Sequence, residues 1–509
     1  MYPGTHAQSD PDRPAVIIAE TGFTVTYGEL EHRSRRLAAA FRDAGLERGD
    51  VVALLSDNAA EVFEIFWATQ RCGLYLTAVN WHLTAEEAAF IVDDSGARAL
   101  IVSGALGDLG RTVADLSPKV TVRIAFGHAL PGFTDYEEVL SAAPEGIPGR
   151  QPAGSVMLYS SGTTGRPKGI APPLPDREVN EPGDPYIAMF SHLYGFDGNT
   201  VYYSAAPVYH AAPLRWGGII QALGGTVVMA EKFDAEQALH DIEKYRVTAA
   251  QMVPTMFVRL LKLDDDVRAG YDLSSLQKVI HAAAPCPPEV KHRMIDWLGP
   301  IVDEYYSSTE ANGVTFIAAD EWLTHPGSVG RAGLGTIRIC ADDGSEMPVG
   351  EVGSIYFERE TLPFEYHNDP EKTAQAQHPE HPTWTTVGDV GYVDHDGFLY
   401  LTDRKSFMII SGGVNIYPQE IENVLALHPA VDDIAVIGVP DPDMGEQVKA
   451  VVKVSDGVQP GPELAAELID YVRARIAHYK APKSVDFVDD LPRTPTGKLV
   501  KGKLTATYS

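Results

Sequence analysis

Cysteine is nearly absent from the chain: 509 residues hold three, Cys72, Cys286 and Cys340. They are too few and too far apart for a disulfide framework or a zinc cage, and they suit a reducing cytosol, where we expect the protein to work. No apolar run reaches the ~18 residues of a membrane span. The polar, Pro-containing stretch from Met1 to Asp12 has no apolar core of a signal peptide. Basic residues are scarce beside acidic ones, 41 Lys and Arg against 70 Asp and Glu, a formal net charge of −29. That balance argues against nucleic acid and anionic lipid as partners, although a local basic cluster can still hold a small anion. There is also no internal repeat.

What is present is ordinary for a globular protein, 44% hydrophobic and 22% charged. At about 150 residues per domain the length suggests about three compact units, large enough to bury a core without staples. Leu30, Leu37, Ala38 and Phe41 recur at helical spacing before Gly45. "DVVALLS", "RALIVSG" and "VTVRIAFG" read as strands, and "EVFEIFWATQRCG" reads as a helix. Strands alternating with helices predict an α/β fold with mixed and parallel sheets, continuing to about Tyr400. Residues 171–185 hold five prolines and five charged residues and read as a surface loop, a connector or a lid.

The texture changes after Asp403-Arg404. "SGGVNIYPQEIENVLALHP" is a Gly-rich turn, then a helix with Pro418 in its first turn and Ile421, Val424, Leu425 and His428 on one face. Two strands, "DIAVIGVPD" and "VKAVVKV", and the helix "PELAAELIDYVRARIA" complete a small α+β domain. We place the boundary between 405 and 406, giving a large domain 1–405 and a small one 406–509.

The strongest chemical signal is "YSSGTTGRPKG", Tyr159 to Gly169. Glycines permit close backbone approach, and successive N–H groups and hydroxyls can cradle a phosphate. It is not a Walker A loop, because Pro167 stands where that pattern needs glycine. The string resembles the signature of the AMP-forming adenylating superfamily: acyl-CoA synthetases, stand-alone and peptide-synthetase adenylation domains, and beetle luciferases. Further motifs of that family follow in order, so the resemblance spans essentially the whole chain: "PVYHAAP" (207–213), "HAAAPCP" (281–287), "EYYSSTE" (304–310), "VGDVGYVDHDGFLYLTDRKSFMIISGGVNIYP" (387–418) and "PRTPTGK" (492–498).

The resemblance implies a two-step reaction. A carboxylate attacks the α-phosphate of ATP and releases pyrophosphate; a thiol then attacks the acyl-adenylate and expels AMP. It assigns Ser160, Ser161, Gly162, Thr163, Thr164, Gly165 and Lys168 to the phosphate loop. Ala283, Ala284, Pro285, Glu304, Tyr305 and Tyr306 would surround adenine, with Tyr306 stacked on it. Thr309 would donate to the α-phosphate, Glu310 with Thr164 would hold Mg²⁺, Asp389 would take the ribose hydroxyls, and Arg404 would reach ribose or phosphate. Lys498 would meet the carboxylate and phosphate in the first step. Taken alone, several of these have bland readings: Ser308-Thr309-Glu310 as a helix cap, Gly388-Asp389 as a turn, Tyr305-Tyr306 as core.

His210 would gate the acyl pocket, with Tyr209, Leu214, Trp216, Met252 and Met256 as apolar wall or, equally, core. Amino-acid-activating domains of that family carry an Asp near the His210 position to hold the α-ammonium; none stands in "PVYHAAPLRW", so the resemblance implies an acid without an amino group: fatty, aromatic or alicyclic. Ser411, Gly412, Gly413, Tyr479 and Lys483 resemble CoA contacts, although Ala481 replaces a basic residue found there in several ligases. Ser406 takes the hinge position without the usual Asp or Lys. Cys286 lacks any supporting His/Asp pattern and reads as inert. The expected function is an ATP-, Mg²⁺- and CoA-dependent acid–CoA ligase; the alternative is a stand-alone adenylation enzyme loading a carrier-protein thiol. A homodimer is compatible with the sequence. The stretch from Tyr471 to Ser509 is net +5 in this acidic chain, and it carries both Lys498 and the proposed CoA contacts.

Overall fold

The computed structural model describes residues 2–144, 149–160, 167–404, 407–412, 414–493 and 499–508. The chain divides into two compact units: Met1–Gln251 with Asp266–Lys278 and Pro363–Thr373, and Met252–Asp265 with Val279–Leu362 and Ala374–Ser509.

In the first unit the helix Tyr27–Asp43 starts at a capping box, with Thr26 and Glu29 each satisfying the other's backbone N–H. Leu30, Leu37, Ala38 and Phe41 are all buried, and the left-handed Gly45 follows the helix end. Val51–Leu55 is buried at every position, as a central parallel strand should be. It pairs in parallel with Tyr75–Val79 on one side and Ala97–Ser103 on the other, and Val122–Phe126 extends the sheet. Parallel neighbours need crossovers, here the helices Glu61–Gln70, Ala85–Asp94 and Gly107–Leu116. A second parallel set joins Val201–Ser204 to Thr226–Met229, which pairs with Pro14–Ile18. The loop read over 171–185 begins at the last residue of the strand Lys168–Ala171 and has no further helix or strand before the helix that begins at Pro185, yet it is tied down. Ala153 and Val179 make backbone bonds across to Arg177 and Gln151, Glu178 pairs with Arg150, and Arg177 pairs with Asp184. These bonds favour a fixed connector over a lid.

In the second unit Val302–Ser307 runs parallel to Val279–His281 and antiparallel to Val314–Ile317. Ser328–Leu334, Leu399–Arg404, Asp389–Val393 and Gly353–Glu358 continue the antiparallel order. Further along the chain, Val431–Asp441 and Gly445–Val454 form a long hairpin. The helices Pro418–Leu425 and Pro462–Arg473 cover one face of it, over Ile434, Val436, Val448, Ala450 and Val452. The helix Lys501–Tyr508 brings Leu504 to the other face, over Ala435, Ile437, Val439 and Val451. On this second face Lys449 and Lys453 are ion-paired to Asp486 and Asp490. The three cysteines are free thiols. Among the described residues no helix is long and apolar enough to cross a membrane.

Gly330 marks a register shift in the strand Ser328–Leu334, with φ +96°, and a Cβ there would lie 1.9 Å from the Phe316 carbonyl oxygen. Backbone cannot swing away as a side chain can, so Gly330→Ala should cost about 3 kcal/mol. Thermal unfolding of the purified variant measures it; a melting temperature equal to wild type would contradict this account.

Candidate functional site

In the first unit the Gly-rich string sits on an antiparallel hairpin. Leu158–Ser160 pairs with Lys168–Ala171, placing Ser160 opposite Lys168 and Tyr159 opposite Gly169. This is not the strand–loop–helix of a Walker motif, in keeping with the misplaced Pro167. Ser161, Gly162, Thr163, Thr164 and Gly165 lie outside the described residues. The stem itself is strongly held. The Tyr159 hydroxyl donates to Asp94 Oδ2 at 2.7 Å, and burial and that carboxylate raise its phenol. Asn368, at φ +56°, donates from Nδ2 to the Asp94 carbonyl at 3.1 Å, and the His367 N–H donates to the Gly169 carbonyl at 2.8 Å. A Cβ on Gly169 would lie 2.9 Å from Tyr159 Cζ and 3.0 Å from His367 Cβ, so glycine is what lets these three residues meet. Lys168 Nζ lies 5.9 Å from the centre of the Tyr366 ring.

His210 occupies the N-cap position of the helix Ala211–Leu223 without a side-chain cap bond, its ring 4.6 Å from that of Tyr209. Tyr209 is buried, which raises its phenol, and meets His82 edge-on at 6.3 Å; His82 stacks on Trp81 at 3.5 Å. The sequence reading missed Trp81 and His82, whose one signal is an adjacent aromatic pair just past a strand end. Trp216 packs among Phe190, Tyr194, Phe196 and Tyr202 and is buried. That packing matches the core reading of Trp216. Leu214 is likewise fully buried.

The second unit gathers the proposed base and ribose residues. Tyr305 and Tyr306 lie on Val302–Ser307, paired with Phe316 and Thr315. The Tyr306 hydroxyl donates to Asp389 Oδ2 at 2.7 Å, joining two motifs 83 positions apart. Asp389 starts the strand Asp389–Val393 and faces Arg404 in register. The residues Ala283, Ala284 and Pro285 follow the strand ending at His281 in an irregular turn, with Ala283 at φ +75°. Met252 and Met256 are buried. Cys286 stands in the same turn, its thiol pushed up by burial, which leaves it a poor nucleophile.

Ser308-Thr309-Glu310 forms a turn and caps no helix. Asn312, 2% exposed, holds that turn: its Oδ1 accepts from Ser308 Oγ at 3.0 Å and its Nδ2 donates to the Thr385 carbonyl at 3.1 Å. Thr309 and Glu310, half-buried beside it, offer hydroxyl and carboxylate oxygens, the donor chemistry a hard cation prefers. Glu304 differs from its expected role. Its carboxylate pairs with Lys291 at 2.7 Å and His281 at 3.3 Å. Burial alone would raise this carboxyl, but the two basic neighbours outweigh it and hold it below the usual range. Only the Glu304 backbone is left to line a base pocket.

On the CoA-assigned side Ser411 and Val414 pair across a hairpin turn, with Gly412 at φ +58°. A Cβ on Gly412 would lie 2.3 Å from Met444 Cε. Tyr479 is 54% exposed and Lys483 is exposed, so both are accessible; the intervening Lys480 pairs with Glu420. Ala481 is 2% exposed inside the core, which explains why no basic residue occupies that position. Ser406, Gly413 and Lys498 lie outside the described residues, as does the Arg404 side chain. The flanks of 494–498 are nonetheless paired: Arg493 bridges to Leu499 and binds Asp433, and Lys501 pairs with Glu422 at 2.8 Å.

A family model described as "AMP-binding enzyme" matches residues 4–366, and one described as "AMP-binding enzyme C-terminal domain" matches 420–498. The chain is 34% identical to a feruloyl-CoA synthase of Amycolatopsis sp., over 100% of this chain and 98% of that protein. It is 31% identical to a fatty acid–[acyl-carrier-protein] ligase of Streptomyces coeruleorubidus, over 98% and 94%. The crystal structure of ATP-bound MatB from Rhodopseudomonas palustris superposes with a TM-score of 0.81 at 28% identity, covering 100% of this chain and 99% of that one.

The Tyr159–Asp94 bond joins a part-buried hydroxyl to a carboxylate, so Tyr159→Phe should lose about 1.5 kcal/mol. Chemical denaturation reads this directly, and an unchanged midpoint would remove Tyr159 as the anchor of the hairpin stem.

Proposed function

The chain belongs to the AMP-binding enzyme family, and from that membership we propose that it is an ATP-dependent carboxylic acid–CoA ligase working through an acyl-adenylate. The observation that carries the reading is the Tyr306–Asp389 hydrogen bond, which fixes the base-stacking residue against the ribose acceptor. In this reading Tyr306, Ala283, Ala284 and Pro285 surround adenine, and Asp389 and Arg404 take the ribose. The phosphate loop from Ser160 to Lys168 cradles the phosphates. Thr309 donates to the α-phosphate as negative charge builds there, and Glu310 with Thr164 holds Mg²⁺. Bound Mg²⁺ would supply charge neutralisation at the phosphates. Lys498 orients the attacking carboxylate against the α-phosphate.

The division at 405/406 belongs to the same proposal. It is supported by the separate family model over 420–498 and by the core that the 409–508 segment builds for itself. Ser406 acts as the hinge, and exchange of the Lys498 face for the Ser411–Gly413, Tyr479 and Lys483 face separates adenylation from thioester formation. Tyr209, His210 and Met252 line the acid. A second reading has specific support: the acyl-carrier-protein ligase among the relatives and the buried Ala481 both favour a carrier-protein thiol as acceptor.

Three measurements test this. Pyrophosphate release over a panel of fatty, aromatic and alicyclic acids should find turnover, and free CoA should then yield acyl-CoA. Adenylation without acyl-CoA would transfer the assignment to the carrier-protein reading. Lys498→Ala should slow adenylate formation at least a hundredfold while sparing thioester formation from supplied acyl-adenylate; equal damage to both steps would contradict the exchange of faces. Tyr306→Phe keeps the ring but removes its hydrogen bond to Asp389, so the KM for ATP should rise about fivefold to tenfold, the loss of one hydrogen bond to a charged group. An unchanged KM for ATP would remove the Tyr306–Asp389 pair as the basis of the site.

A further inference from the structure

Lys291 and Glu304 form a buried ion pair beside the His281 imidazole, whose charged form burial disfavours, and no step of the proposed reaction uses this cluster. His281 and Lys291 are 0% exposed and Glu304 is 6% exposed. Lys291 Nζ donates to Glu304 Oε2 at 2.7 Å, and His281 Nε2 lies 3.3 Å from the same oxygen. The surroundings are otherwise apolar and aromatic: Lys291 Nζ is 4.8 Å from the centre of the Trp322 ring, and Phe257 meets the His281 ring at 5.2 Å. A buried ion pair of this kind gives little stability over a well-packed apolar filling, so its presence is poorly explained by folding alone.

Its placement is more informative. His281 ends the strand before the 282–287 segment, and Lys291 lies in the helix Pro288–Leu298 that follows it. Glu304 stands two residues before Tyr306 on the neighbouring strand, directly opposite His281 in the parallel register. Backbone pairing at His281 and the Lys291–Glu304 ion pair therefore tie both ends of the turn to the strand that carries the base-stacking ring. The turn needs such a tie. Ala283 sits at φ +75°, a left-handed conformation that costs a non-glycine residue energy and persists only where the surroundings fix it.

We propose that the Lys291–Glu304–His281 cluster sets the spacing between the 283–285 turn and Tyr306, so that Lys291 and Glu304 are positioning residues for the nucleotide and not for the acid. The inference rests on the assignment of Tyr306 and the turn to adenine. It predicts a selective effect: the ATP side of the reaction suffers and the acid side does not.

Steady-state pyrophosphate release tests it on the full-length protein. Lys291→Met fills the same space without the charge. It should raise the KM for ATP tenfold or more while the KM for the acid stays within twofold. The double variant Lys291→Met with Glu304→Gln leaves no unpaired buried charge. Its melting temperature should recover toward wild type while its KM for ATP stays raised. That separation distinguishes positioning from structure, because a merely structural cluster would recover both together. If Lys291→Met does not fold, the near-isosteric Glu304→Gln and the double variant carry the same measurement. An unchanged KM for ATP in a folded variant overturns the inference, as does an equal rise in both KM values. Calorimetric binding of AMP separates this from failure of the enzymatic reading: a wild-type protein that binds AMP but turns over no acid defeats the ligase assignment. The cluster is then still decided by whether Lys291→Met weakens AMP tenfold.

Discussion

The strand Val302–Ser307 is bonded on both sides, parallel to Val279–His281 and antiparallel to Val314–Ile317, and the second unit's site depends on that double pairing. Two partners leave the strand no freedom to slip by a residue, a shift that would send Tyr306 to the opposite face of the sheet. With the register fixed, Tyr306 reaches Asp389, whose strand lies beyond three intervening strands in the sheet order, and Ser307 hands the chain to the turn that carries Thr309 and Glu310. Asn312 then closes that turn against Thr385. Backbone pairing thus performs the coarse placement. Side-chain bonds to Asp389, Ser308 and Thr385 complete it.

Much of this was legible in the sequence, and the reasons are local. Helical spacing at Leu30, Leu37, Ala38 and Phe41, the run "VVALL", and Pro418 ahead of Ile421 and Leu425 each answer to short-range chemistry, and each is realised. What escaped depends on contacts far apart in the chain. Nothing near Glu304 announces that its counter-charge lies on a helix thirteen residues upstream, so a residue expected to face adenine instead faces Lys291. Trp216 has the residue type of a pocket wall, but four aromatic partners between Phe190 and Tyr202 claim it. The helix Lys501–Tyr508 has almost no apolar stripe to reveal it, and its inward side is marked only by Leu504 and Tyr508 with the buried Lys501. Chemical motifs showed the opposite behaviour. Their order along the chain identified the family before any geometry was known, whereas the partners that hold them, Asp94, Asn312 and Asn368, carry no motif of their own.

Charge follows a similar division. The net −29 is spread over surface ion pairs and loops, and such pairs contribute little individually. Two of the buried ion pairs join segments of the second unit: Glu304 with Lys291 beside the 282–287 turn, and Glu422 with Lys501.

The long hairpin Val431–Asp441 and Gly445–Val454 is apolar on both faces, and its second face is sealed by the last helix through Leu504 and by Leu491. Remove that helix and Ala435, Ile437, Val439 and Val451 become an uncovered β-surface of adjacent branched side chains, the composition that self-associates most readily. The helix Lys501–Tyr508 is therefore also this domain's protection against aggregation. A substitution that unseated Leu504 would act on solubility before it acted on catalysis.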